Sequence, residues 1–422
     1  MNPTTWGGAG VHRLEGETRK YAWGSRTLLP RFLGHDPDGE PHAELWVGAH
    51  PGDPARLADG STLLDLLREA PERELGPDVA GRFGRLPFLM KALAAAEPLS
   101  LQVHPTNSRA REGFARENAA GIAIGAPGRS YQDDSHKPEL VYAVTRFEGM
   151  AGFRDVERSA AILQLLDLPW AEEIAQDLVT GPADQAVHRA VSTMLSMDGI
   201  ELADALVDLG KAARVAEERS HRKRPPTSRL HRERTSVERE ALRVFSQAAS
   251  LAERYPGDSG VLVTLLLNHV VLSPGEAMFL DAGVVHAYTS GFGIEIMASS
   301  DNVVRAGLTP KHVDVAELLE IADFTPIPPP LCPGRDVATG LTGFHPPVEE
   351  FALFIGTAPV SSSLPSAGPR IVMVLEGEIE VAAGGDCLRV VRGEAVFVGH
   401  EDGDLEVTGS GRVAVGAVPV AR

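Results

Sequence analysis

The chain has 422 residues, which is too long for one average domain and predicts two or three. Hydrophobic residues make up 43% and charged residues 23%, values typical of a folded protein with a sizeable core rather than of a disordered one. The formal net charge of -18 repels a polyphosphate backbone, which argues against nucleic acid as a partner and means that a small anionic substrate would need local cations.

The cysteines and the N-terminal segment bear on the compartment. Cys332 and Cys387 form no CxxC pair, so neither a disulfide framework nor a cysteine-type zinc site is indicated. The first twenty residues lack an apolar region of the kind found in signal peptides. No run of about 18 apolar residues occurs, so we expect no membrane span and a cytoplasmic location.

The N-terminal part of the chain predicts short strands separated by turns. One exception is residues 61–70, where leucines recur at helical spacing behind a capping Ser or Thr. Strand patterns return at residues 86–94 and 99–103.

From about residue 155 to 255 apolar residues recur every three or four positions, which predicts a helical domain. This domain contains a very basic, proline-interrupted segment at residues 219–235. Because no aromatic residues are interleaved with its charges, the segment is more typical of a solvated loop between helices than of a nucleic-acid or anion patch.

Strand patterns resume at residues 261–297 and 369–420, with turns at regular intervals. Segments 273–286 and 391–404 share a strand, a GEA turn and a second strand, but only the first ends in a histidine, His286. This similarity between the two segments predicts two related antiparallel barrels, one functional and one degenerate.

The expected fold is therefore mainly β with a helical insertion: two jelly-roll barrels plus an α-helical domain. The predicted division is a discontinuous functional barrel of residues 1–154 and 256–328, a helical insertion of residues 155–255, and a C-terminal degenerate barrel of residues 329–422.

Four residues suggest a metal site. Gln102 and His104 are two positions apart, so on a strand they project from the same face. Glu139 shares a face with Lys137, and a glutamate inside a barrel needs a cation or a metal. A glycine-containing turn precedes His286 and would direct its imidazole into a barrel mouth. Two imidazoles, a carboxylate and an amide suit zinc, although iron or manganese would fit the same residue types.

The polar segment at residues 293–312 is a second candidate. Glu295 lies on its alternating strand and Asp301 follows in a turn. Arg305 and Lys311 supply the cations that an anionic sugar phosphate would need. No GxGxxG, GxxxxGK[ST] or GxSxG motif offers a nucleotide site or a nucleophile elbow.

Several separated segments, taken in order, resemble the signature segments of the type I mannose-6-phosphate isomerases. They are YAWGS (21–25), AELWVGAHP (43–51), LSLQVHP (99–105), SHKPEL (135–140), and DAGVVHAY with ASSDNVVRAGLTPKH (281–312). The resemblance implies a cupin barrel with a helical insertion and a second cupin, and one Zn²⁺ per chain, held by Gln102, His104, Glu139 and His286.

The resemblance also implies residue roles. Arg305 would be essential for catalysis, and the acid–base positions are Lys137, His136, Glu295 and Asp301. The positions associated with phosphate binding are Ser100, Arg305 and Lys311.

The implied reaction interconverts mannose 6-phosphate and fructose 6-phosphate through a cis-enediol, within carbohydrate metabolism and GDP-mannose biosynthesis. Either Lys137 or Glu295 would carry the proton between C1 and C2. The alternatives are a metal-binding cupin without catalysis, such as a sugar-phosphate sensor, and a cupin oxygenase with iron in the same ligands. We expect a monomer or a weak homo-oligomer.

Overall fold

The chain folds around two antiparallel β-sheets and a group of helices, in a computed structural model that describes residues 10–221, 229–360 and 364–419. Helices and strands are present in comparable amounts, so the prediction of a mainly β chain holds only in part: the protein is sheet-rich with many helices. The centre of the predicted basic loop, residues 222–228, lies outside the described residues. Within the described ranges, no helix is both long and apolar enough to cross a membrane.

Eighteen strands form within the described residues. Numbered along the chain, they are β1 (Val11–Leu14), β2 (Glu17–Arg19), β3 (Glu44–Val47), β4 (Phe88–Ala95), β5 (Leu101–Val103), β6 (Glu139–Ala143), β7 (Phe147–Phe153), β8 (Leu267–Leu272), β9 (Ala277–Leu280), β10 (His286–Ala298), β11 (Val304–Gly307), β12 (Arg335–Ala338), β13 (Leu341–Phe344), β14 (Ala352–Thr357), β15 (Arg370–Ala383), β16 (Asp386–Val391), β17 (Ala395–Val398) and β18 (Glu406–Ala417).

Eleven α-helices are described as well. They are α1 (Leu28–Phe32), α2 (Leu63–Glu69), α3 (Pro71–Phe83), α4 (Asn107–Ala119), α5 (Val156–Gln164), α6 (Pro169–Leu178), α7 (Ala183–Ser196), α8 (Gly199–His221), α9 (Arg229–Arg254), α10 (Gly260–Val263) and α11 (Val315–Ile321). The predicted helix at residues 61–70 corresponds to α2, which Thr62 caps by accepting a hydrogen bond from the Asp65 backbone N–H.

The first sheet contains β2 to β11 and is organised by the long strand β10. The N-terminal half of β10 pairs with β5 and β7, and its C-terminal half pairs with β4 and β6, all antiparallel. The register places Gln102 directly opposite His286 on one side and Arg305 on the other. Because directly opposed residues project from the same face of a sheet, these three side chains share one face.

The second sheet has the order β1-β17-β15-β18-β14-β13-β12, with β16 paired to β15. The predicted division groups residues 1–154 with the first sheet, but β1 pairs with β17, so residues 11–14 lie in the second. The two sheets pack closely, since a Cβ added at Gly416 would lie 2.6 Å from Met90 Sδ and 3.0 Å from Ile296 Cδ1.

Helices α5 to α9 lie between β7 and β8, which are neighbours in the first sheet. Their apolar faces share one core cluster with the sheet, including Leu163, Leu209 and Phe245 from the helices and Phe153 and Leu267 from the strands. An insertion that starts and ends on adjacent antiparallel strands leaves their pairing intact.

A buried carboxyl lies where α3 meets the second sheet. Glu74 is 1% exposed, and its Oε1 accepts no hydrogen bond from the described residues, although Arg73 Nε lies 3.3 Å away. Burial raises the pKa of Glu74 from 4.5 to about 7, against the opposing effect of Arg73, and the Asp402 carboxylate raises it further.

We expect Glu74→Gln to stabilise the protein at neutral and alkaline pH but not at pH 4. Between about pH 4.5 and pH 7 the unfolded chain loses a proton that the folded chain keeps, so the free energy of unfolding of the wild type falls as pH rises through this window. The glutamine variant does not undergo this loss and should be more stable by up to about 3 kcal/mol above pH 7. Urea unfolding at pH 4 and pH 8 measures the effect, and an equal gain at both values would contradict it.

Candidate active site

Three of the predicted metal ligands meet at one buried point. His104 follows β5, Glu139 begins β6 and His286 begins β10, and none is more than 1% exposed. His104 Nε2 lies 3.3 Å from Glu139 Oε2, and His286 Nε2 lies 3.1 Å from Glu139 Oε1. One ligand atom from each lies within 4.8 Å of the other two, a spacing that suits a single metal ion.

The far nitrogens of both imidazoles are held by backbone carbonyls. His104 Nδ1 is 2.7 Å from the Asn302 oxygen, and His286 Nδ1 is 2.9 Å from the Val284 oxygen. A carbonyl only accepts, so each Nδ1 carries the hydrogen and each Nε2 presents a lone pair to the cluster. Burial, followed by Lys137, lowers the pKa of His104 to about 3, so this imidazole is neutral, the form that binds metal.

The fourth predicted ligand borders the cluster. Gln102 Nε2 lies 3.2 Å from His286 Nε2, and the Ser100 hydroxyl donates to Gln102 Oε1 at 3.3 Å. Exchanging the two ends of the amide would present oxygen to the cluster. The structure therefore brings all four predicted ligands together, with Ser100 beside them.

The carboxylate of Glu139 is held by surrounding donors. Lys137 Nζ donates to Oε2 at 2.8 Å, and the Tyr288 hydroxyl donates to Oε1 at 2.9 Å. Burial alone would raise the pKa of Glu139, but the ammonium group of Lys137 holds it well below its ordinary value. Glu139 is thus the anionic member that a divalent cation needs.

A buried ion-pair network flanks the cluster. Lys91 Nζ lies 2.8 Å from Glu295 Oε2 and 3.7 Å from Glu44 Oε1, and Trp46 Nε1 donates to Glu44 at 2.8 Å. Burial alone would lower the pKa of Lys91, but Glu295 and Glu44 raise it above its ordinary value. For Glu295, burial raises the pKa although Lys91 opposes this. Glu295 was predicted from the sequence as a site residue, but Lys91 was not. The feature that could have indicated Lys91 is a single charged residue within the apolar strand FLMKALAA.

A cleft of about 1030 Å³ opens onto the cluster. Its walls include Ser100, Glu295, Asp301, Arg305 and Lys311. Within the described parts of the chain no hydrogen bond or ion pair holds the Arg305 side chain, and burial lowers its pKa. Burial and then Arg305 lower the pKa of Lys311 as well. Two neighbouring cations, neither held by an ion pair among the described residues, make this wall a candidate anion site.

Two of the predicted acid–base residues have other partners. His136 does not line the cleft, and its Nε2 lies 2.7 Å from Glu350 Oε1. His136 thus contacts Glu350 outside the cleft, whereas Lys137 lines the cleft. Asp301 does line the cleft, and its Oδ2 lies 3.4 Å from His50 Nε2.

The cleft also contains aromatic residues that sequence reasoning did not assign. Tyr21 and Trp23 stack with ring centroids 5.6 Å apart, and Lys311 Nζ lies 5.7 Å from the Tyr21 centroid. They belong to the YAWGS segment of residues 21–25, which resembles a family signature segment. Such rings provide apolar surface against which the C–H groups of a sugar can pack.

Comparisons with known proteins agree on one family. The sequence model "Phosphomannose isomerase type I, catalytic domain" matches residues 11–156. A curated mannose-6-phosphate isomerase from Salmonella typhimurium is 38% identical over 413 residues, covering 96% of this chain and 98% of the relative. Mannose-6-phosphate isomerase 1 from Arabidopsis thaliana is 33% identical over 410 residues, covering 92% of this chain and 89% of the relative.

A solved structure matches over nearly the whole chain. It is the crystal structure of mannose 6-phosphate isomerase from Salmonella typhimurium bound to its substrate, f6p, and to zinc. Its TM-score is 0.85 at 35% identity, and the match covers 98% of this chain and all of that one.

Proposed function

The chain belongs to the type I phosphomannose isomerase family, and on this basis we propose that it interconverts mannose 6-phosphate and fructose 6-phosphate with one bound Zn²⁺. The observation that carries the proposal is a cleft lined by Arg305 and Lys311 that opens onto the buried cluster of His104, Glu139 and His286. A sugar-phosphate substrate needs cations that bind its phosphate and a metal site that acts on its sugar end, and this cleft offers both.

The residues of the cluster fit zinc. His104 and His286 are fixed with their Nε2 lone pairs towards Glu139, and the Gln102 amide adjoins them. These four residues would hold the ion and leave room for substrate. Zinc, when bound, supplies a Lewis acid that polarises substrate oxygens and needs no redox change.

Glu295 is the group that we assign to proton transfer between C1 and C2. It lines the cleft, and burial raises its pKa, so this carboxyl holds a proton more readily than an exposed glutamate and can both accept and return one. Lys137 is the alternative. Its Nζ already donates to Glu139 at 2.8 Å, so we assign it to orienting this ligand.

Arg305 and Lys311 are the groups that we assign to the anionic substrate, with Ser100 nearby on the same cleft wall. The planar guanidinium of Arg305 can make two parallel hydrogen bonds to a phosphate or stabilise charge on an enediolate oxygen. Its position opposite Gln102 keeps it close to the zinc site.

Finer features of the fold are proposals as well. The ten-stranded sheet would form a catalytic cupin barrel from residues 1–154 and 256–328, interrupted by a helical domain of residues 155–255. The second sheet would form a degenerate cupin of residues 329–422 that also recruits β1. Its turn at Gly393 matches the turn at Gly275 in the first sheet, both with positive φ. We further propose a cytoplasmic enzyme that acts as a monomer or a weak homo-oligomer and binds no nucleic acid.

A coupled assay with mannose 6-phosphate tests the function. We expect chelation of the purified protein to abolish turnover and added Zn²⁺ to restore it, because the polarising charge depends on the ion. Loading the protein with iron in place of zinc should not produce an oxygen-dependent activity, which a cupin oxygenase would show. A folded, zinc-loaded protein without turnover would contradict the isomerase proposal and favour a metal-binding cupin that senses sugar phosphates.

A further inference from the structure

Asn302 is a buried residue that the proposed chemistry does not use, next to the cleft residue Asp301. Its side chain is fully hydrogen-bonded. Oδ1 accepts from the backbone N–H groups of Gln132 at 2.7 Å and Asp133 at 3.2 Å. Nδ2 donates to the carbonyls of Asp133 and Ser135, both at 2.8 Å. An amide is required here, because the acceptor contacts of Oδ1 and the donor contacts of Nδ2 are satisfied by one planar group.

The backbone of Asn302 contacts a zinc ligand directly. Its carbonyl oxygen is the acceptor for His104 Nδ1 at 2.7 Å, and its N–H donates to the Ser300 hydroxyl at 3.2 Å. One residue therefore joins the imidazole of His104 to the loop of residues 131–136, which immediately precedes Lys137.

Asp133 also links the segment of residues 131–135 to the segment of residues 300–302 by hydrogen bonds. Its carboxylate accepts from the Ser300 hydroxyl at 2.8 Å, from the Asp301 backbone N–H at 2.9 Å and from the Ser135 backbone N–H at 3.0 Å. The segments 131–135 and 300–302 are thus bound to each other by several hydrogen bonds. The position of the Asn302 carbonyl follows from them.

We propose that Asn302 is a positioning residue for the zinc site, in which its side-chain amide fixes the carbonyl that orients His104. The inference rests on the proposed function, because it assumes that His104 binds zinc. The carbonyl sets both the tautomer and the ring plane of His104, and losing such a partner typically lowers metal affinity by about 10- to 100-fold.

The first test compares Asn302→Asp with a matched control. The aspartate keeps the size of the side chain and replaces the Nδ2 donor with an acceptor that faces two carbonyls. Asn268→Asp makes the same change at another buried asparagine, whose Nδ2 donates to the carbonyls of Ala151, Gly152 and Ile327 at 3.2, 3.1 and 2.9 Å and which does not line the cleft. Both variants should lose stability.

The measurement is the zinc dissociation constant of the full chain by chelator competition, together with the visible spectrum of the cobalt(II)-substituted protein. We expect Asn302→Asp to weaken zinc binding by about 10- to 100-fold and to alter the cobalt spectrum. We expect Asn268→Asp to leave both unchanged. Equal zinc affinity and identical cobalt spectra in Asn302→Asp and the wild type would overturn the proposal.

Asn302→Ala provides a second variant if Asn302→Asp does not fold. It removes the amide and its hydrogen bonds without placing a new charge beside the carbonyls of Asp133 and Ser135. A weakened zinc affinity with an altered cobalt spectrum supports the proposal, and wild-type values for both refute it. Failure of the wild-type protein itself to bind zinc would instead refute the proposed function, so the two failures are distinguishable.

Discussion

Replacing Glu295 with glutamine is expected to lower kcat by about 100- to 10,000-fold while zinc remains bound, because the group that moves the proton is lost. The change preserves the shape of the side chain and removes its ability to exchange a proton. Lys91, 2.8 Å from Glu295, keeps a second carboxylate partner in Glu44 at 3.7 Å, so it is not left without an anion. Coupled assays with mannose 6-phosphate and zinc analysis of the same samples measure the effect.

Glu44→Gln is the matched control for this experiment, because Glu44 contacts the same lysine and lines the same cleft. We expect a much smaller fall in kcat from it. Lys137→Met tests the alternative assignment. A large loss of kcat in Lys137→Met with retained zinc, and near-normal turnover in Glu295→Gln, would transfer the proton-transfer role to Lys137.

Arg305→Ala is expected to reduce kcat/KM by about 100- to 1000-fold, because a permanently charged donor facing the substrate is removed. No ion pair holds this side chain among the described residues, so its loss should leave stability almost unchanged, and thermal unfolding provides that control. Arg305→Lys keeps the charge without the planar pair of donors and should recover only part of the activity.

Arg305 could act on the phosphate or on the reacting end of the sugar, and a second substrate separates these roles. Turnover of mannose, which lacks the phosphate, should be compared in the wild type and in Arg305→Ala. A loss seen with both substrates places Arg305 at the reacting carbons, whereas a loss confined to the phosphorylated sugar assigns it to the phosphate. Unchanged kinetics with mannose 6-phosphate would remove Arg305 from the site.

Lys311→Ala, on the same wall of the cleft, should raise KM more than it lowers kcat.

The sequence by itself predicted most residues of the candidate zinc site, because part of the information is local. Alternation along a strand sets which face a side chain occupies, so the spacing of Gln102 and His104 already aligned them. The same alternation applies to Lys137 and Glu139, which contact each other in the structure. The type of metal site then followed from residue chemistry, and the choice of zinc from the resemblance to a family.

Only the tertiary structure decided which distant residues complete the site. Lys91 and Glu295 meet because β4 and β10 are paired in one register, and no pattern within either strand encodes that register. His136 was predicted as an acid–base group, but the fold directs it to Glu350, far along the chain. The orienting role of Asn302 depends on a backbone carbonyl, a group that every residue carries and that sequence therefore cannot single out.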